Sequence, residues 1–194
     1  MKKLLLTLSL VFLSIMFSGA WSGQSAKEER QKKFQEKKKR LQENQETLKM
    51  LYKYAPESRN MLLRSYAYAT FTNFNIYLFL VSAEGGHGVA HNNRTGKNTY
   101  MNMASGGIGL GLGVKNFRGV FLFKDKRVFD NFINKGWEAN IQADAAAKFG
   151  NDGGAVNAAM TIAPGVRLYK ITENGLALDA TIQGTKYWKD EDLN

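Results

Sequence analysis

The period of this chain changes near Tyr66, and that change restricts the fold more than any other feature. From Lys27 to Tyr54 there is neither proline nor glycine, and Lys, Glu, Gln, Arg and Leu dominate, all good helix formers. Beyond Tyr66, aromatic, β-branched and glycine residues recur with period two, the period of a strand. No helical stretch of crossover length separates the expected strands, so the sheet should be mostly antiparallel and curled or closed. The fold class is therefore α+β, β dominant, with a long N-terminal basic helix and two short helices, the helices packed at one end of the sheet.

Individual elements follow from local signals. Pro56 suits a first helical position and Arg64 a last turn, which predicts a short helix from about Pro56 to Arg64. From Tyr66 to Glu84 two strands are expected, with a bend near Thr72 and Asn73. Gly85-Gly86-His87-Gly88 and Asn92 to Gly96 read as turn material around a short strand at Val89-Ala90, together a hairpin. Glycines 107, 109, 111 and 113 alternate with Ile108, Leu110, Leu112 and Val114, a strand with one bare face. Val120 to Phe123 form a buried strand. Val128, Phe129, Phe132 and Ile133 then have the spacing of an amphipathic helix, opened by Asp125 and stopped by Gly136. Further strands are expected over Trp137 to Phe149, Ala155 to Ile162, Val166 to Ile171 and Leu176 to Ile182. Asn151-Asp152-Gly153-Gly154 and Glu173-Asn174-Gly175 are the turns between them.

The chain opens with Met1-Lys2-Lys3 and an apolar run from Leu4 to Phe17, followed by Ser18-Gly19-Ala20, the pattern of a cleaved secretory signal. The expected division is a signal peptide over 1–20, a basic helical segment over 21–54, one domain over 55–188 and a polar tail over 189–194. An exported protein, periplasmic or secreted, follows from the leader. There is no cysteine, hence neither a disulfide nor a lipid-acceptor thiol.

Chemistry-bearing motifs are scarce. The glycine run around 105–113 lies in strand pattern rather than between a strand and a helix, so it does not cradle phosphate. His87 and His91 are the two histidines, and no helix brings them to one face. No nucleophile elbow or carboxylate pair can be picked out. The expectation is a non-enzyme with no cofactor and no metal. Asn93-Arg94-Thr95 matches a glycosylation acceptor triplet, which is common by chance.

What remains is charge. The formal net charge is +10, and between Lys27 and Arg40 eight cations stand against Glu28, Glu29 and Glu36. The residues assigned to binding an anionic phospholipid surface are Lys32, Lys33, Lys37, Lys38, Lys39 and Arg40, with Phe34 and Leu41 among them. The other end of the helix, around Leu48, Met50, Leu51, Tyr52 and Tyr54, turns apolar and is expected to dock on the domain.

From about Ala67 to Lys186 the chain resembles the SYLF domain family. The likeness lies in the order of Ala69-Thr70-Phe71, Gly85 to Val89, Ala104 to Val114, Val120 to Phe123, Phe129-Asp130-Asn131-Phe132, Ala143-Asp144-Ala145 and Gly175-Leu176-Ala177-Leu178 through Gly184. The resemblance implies phospholipid or phosphoinositide binding without catalysis or cofactor. Together with the leader it is similar to exported bacterial members, which argues against nucleic acid or actin as a partner. A structural or adaptor protein of the cell envelope, gripping a protein or cell-wall partner, is the rival reading. A small outer-membrane barrel is the third.

Overall fold

The computed structural model describes the backbone over residues 2–78, 81–107, 117–138, 159–172, 175–177 and 185–194, and the side chains over 25–73, 85–104, 118–137, 159–172, 175–176 and 185–194. Helix α1 runs Lys2–Tyr54, α2 Ser58–Arg64 and α3 Lys126–Lys135. The strands are β1 Ala67–Leu78, β2 Val81–Asn92, β3 Asn98–Gly107, β4 Phe117–Phe123, β5 Trp137–Glu138, β6 Met160–Ala163, β7 Val166–Thr172, β8 Gly175–Ala177 and β9 Thr185–Lys189. They form one curled half-barrel sheet in the order β5-β9-β3-β2-β1-β4-β7-β6, with β8 beside β7 and every described pair antiparallel. The α+β class with its antiparallel curled sheet, long N-terminal helix and two short helices is what the change of period predicts.

The chain divides into two compact units, 1–39 and 40–194. The first is helix alone. In the second, the strands alternate between two covered faces. Ala67, Ala69 and Phe71 of β1, Met101 and Met103 of β3, Phe121 and Phe123 of β4 and Tyr187 of β9 meet Phe129 and Phe132 of α3. This core is aromatic: the Phe71 and Tyr187 ring centroids lie 4.8 Å apart edge to face, and Phe123 and Phe132 lie 4.8 Å apart. The opposite faces of the same strands, with Tyr68, Val120, Leu122, Tyr169 and Ile171, bury Leu51 of α1 and Leu62 of α2. Helices thus cover both faces, not one end, because β1 and β4 are apolar or hydrogen-bonded on both sides. The docking of the Leu48 to Tyr52 end agrees with the sequence.

Local signals hold where they are self-contained. Asp125 caps α3 by accepting from the Val128 amide at 3.0 Å, and Gly136 ends it at φ 72°. The β2–β3 hairpin turns through Asn92 to Gly96, where the Gly96 amide donates to the Asn92 carbonyl.

Other expectations are corrected. No bend falls at Thr72 and Asn73: β1 passes straight through them, opposite His87 and Gly86. The segment Gly85 to Gly88 is not a turn but the middle of β2, where the missing side chains make room for a neighbour. A Cβ on Gly86 would stand 2.6 Å from both the Thr72 carbonyl oxygen and Met103 Cγ, and one on Gly88 would collide with the Thr70 carbonyl and the Phe71 ring. The α2 helix begins at Ser58, after a turn at Pro56-Glu57. The segment after Lys189 is a folded clasp: Asp190 and Leu193 are buried, and the Asn194 amide nitrogen donates to the Tyr100 carbonyl while its oxygen accepts from the Tyr100 amide. The leader's side chains, most of the glycine alternation and most of the expected strands over 137–149, 155–162 and 176–182 lie outside the described residues.

Candidate lipid-facing surface

In the first unit, Lys32, Lys38 and Lys39 are exposed, while Lys33 and Lys37 are half-buried. Lys33 donates to Glu29 at 2.9 Å across one helical turn, which offsets its charge. Lys32, Lys38 and Lys39 have no acidic partner among the described residues. Helical spacing places Arg30, Phe34, Lys37 and Lys38 along one face, at i, i+4, i+7 and i+8. Phe34 is 64% exposed there. An exposed aromatic ring among cations is the combination an anionic interface accepts: the ring enters the headgroup boundary and the cationic groups stay at its phosphates.

Arg40 does not belong to this set. It is buried, its Nη2 pairs with Asp190 at 3.0 Å, and its Nη1 donates to the Met101 carbonyl at 3.1 Å and to Asn102 Oδ1 at 3.2 Å. Its charge is spent inside the second unit and is not available to a membrane.

Arg40 opens a polar seam that sequence reading missed. Asn44 Oδ1 accepts from Thr70 Oγ1 at 2.9 Å, Glu43 pairs with His87, and Thr47 Oγ1 accepts from Arg118 Nη1 at 3.0 Å. Arg40, Asn44, Thr47 and Leu51 recur at the spacing of one helix face, and all four are buried. The periodicity was there to be found, but with polar residues it reads as a solvated stripe. His91 bonds instead to Asn98, at 2.7 Å. Among the described residues no group of His, Cys, Asp or Glu could hold a metal ion, and no helix is long and apolar enough to cross a membrane.

A concavity lies in the second unit between α3 and the β6–β7 turn. It measures about 310 Å³ and is walled by Phe123, Val128, Phe132, Trp137, Pro164 and Val166, with Arg127 and Asn131 from α3 also lining it.

No family model matches the chain. Over 143 residues it is 39% identical to beta cell expansion factor A of Aeromonas veronii, an alignment covering 74% of this chain and 53% of that protein. The chain is a relative of that protein and spans about half its length.

Proposed function

We propose that this protein is an exported, non-enzymatic module of the SYLF type that associates peripherally with anionic phospholipid membranes. The observation that carries the reading is the exposed Phe34 ring on a helix face shared with Arg30, Lys37 and Lys38. Each basic residue brought to such a surface contributes about 1 kcal/mol, so a few suffice for reversible, salt-sensitive attachment. The name of the Aeromonas veronii relative speaks of beta cell expansion and mentions neither lipid nor partner. The reading therefore rests on this chain's own residues and on the SYLF resemblance.

The test is co-sedimentation of the protein, starting at Trp21, with neutral and anionic phospholipid vesicles over a range of salt. Binding to anionic vesicles alone, weakening as salt rises, is the expected result. A folded protein that stays in the supernatant with both would sink the membrane reading and favour an envelope adaptor instead.

A further inference from the structure

We infer that the concavity between α3 and the β6–β7 turn is a binding site for a single unbranched acyl chain ending in a carboxylate. Its geometry begins with two glycines. Gly165, at φ 79°, turns the chain between β6 and β7 so tightly against α3 that a Cβ there would stand 3.3 Å from Val128 Cγ2. Gly136, at φ 72°, lets the chain leave α3 against β9, where a Cβ would come within 2.6 Å of the Tyr187 carbonyl oxygen. Between these two close approaches lies the concavity, with half-buried Trp137 on its wall and the buried rings of Phe123 and Phe132 behind it.

The size and chemistry of the space select the ligand. A volume of about 310 Å³ holds about ten water-sized groups at roughly 30 Å³ each, which corresponds to a medium-length alkyl chain and not to a diacyl lipid. The walls supply aromatic and aliphatic carbon. The polar groups come from α3, where Arg127 and Asn131 sit one turn apart on the face that lines the space. Beside them Lys126 pairs with Asp130, and Asp125 accepts from the Val128 amide. Arg127 has no acidic partner among the described residues. A guanidinium beside an apolar slot binds a carboxylate through two parallel N–H donors while the slot takes the chain. Nothing here depends on the helix face proposed to meet membranes.

The experiment is calorimetric titration of the protein with decanoate below its micellar range, in the absence of vesicles, with decanol and inorganic phosphate as separate probes. The expected result is saturable binding of one decanoate per chain, weaker binding of decanol and none of phosphate. Arg127→Gln, an exposed position whose replacement leaves the core intact, should weaken decanoate about ten-fold, the effect of one charge-assisted hydrogen bond, and leave decanol unchanged. Ala163→Phe, which fills the slot, should abolish both, with circular dichroism showing that the fold persists. Should Ala163→Phe fail to fold, the Arg127→Gln comparison decides alone. The inference is overturned by absent or non-saturable decanoate binding, by equal decanoate affinity in Arg127→Gln, or by phosphate binding as tightly as decanoate. Because no vesicle is present, its failure leaves the membrane reading untouched, and the converse also holds.

Discussion

The Arg40 guanidinium and the Asp190 carboxylate form an ion pair at 3.0 Å, with side chains only 9% and 10% exposed, linking α1 to the clasp that follows β9. Asp190 also accepts from the Asp192 and Leu193 amides, so one carboxylate organises the clasp and neutralises the helix. Removing one partner of such a pair leaves the other charge buried and uncompensated, which costs more than the pair itself contributes.

Arg40→Ala or Asp190→Ala should therefore each destabilise the protein by about 3 kcal/mol, and the double variant by clearly less than the sum. Urea unfolding followed by circular dichroism measures both. Additive losses would show that the two groups do not act as a pair.

The same pair dictates how the membrane face must be probed. Reversing Lys38 and Lys39 to Glu, with Arg40 left in place, should cost at least about 2 kcal/mol of binding to anionic vesicles, roughly thirty-fold, without moving the unfolding midpoint. Phe34→Ser should weaken binding further at high salt, where the ring's contribution outlasts the screened charges. Vesicle affinity indifferent to all three changes would take this helix out of the mechanism.

Alkaline pH should destabilise the protein through its buried tyrosines. Burial, with a smaller push from the Glu57 charge and an opposing pull from Arg167, raises the Tyr169 hydroxyl to about 12, and burial likewise raises Tyr68, Tyr100 and Tyr52. These groups bind their protons more tightly folded than unfolded. Their contribution is complete below pH ~10, where free tyrosine titrates, and is lost as pH climbs from there toward the folded values. Urea midpoints should hold up to about pH 10 and then fall, with a shallower fall in Tyr169→Phe. A midpoint flat through that window would mean that these hydroxyls ionise as freely in the fold as outside it.

Two glycines in one hairpin should respond differently to alanine. At Gly88 the added carbon meets the Thr70 carbonyl and the Phe71 ring, and overpacking of this kind costs about 1–3 kcal/mol. At Gly96, φ 71° with nothing within 4 Å, only the backbone preference is lost, about 1 kcal/mol. Thermal unfolding should rank Gly88→Ala as the more damaging change, and the reverse order would contradict the close packing of Phe71 over β2.

By itself the sequence determined whatever a few neighbouring residues decide. The absence of helix breakers from Lys27 to Tyr54, the Asp125 cap and Gly136 stop of α3, and the strand period of Val120 to Phe123 and Val166 to Ile171 act over one or two turns, and each reappears in the structure. The tertiary structure decided the residues whose partners lie far along the chain. Gly85 to Gly88 reads as a turn from its glycines alone, whereas Phe71 and Met103, packed over it, hold it as the middle of a strand. Arg40, Asn44 and Thr47 look like a solvated helix stripe until Asp190, Thr70 and Arg118 arrive to satisfy them. The slot beside Arg127 is lined by residues from β4, α3 and the β6–β7 turn, which are far apart in the sequence. Burial of a polar group depends on whether a partner comes to meet it, and in an antiparallel sheet of mixed strand order that partner is set by topology and not by sequence period.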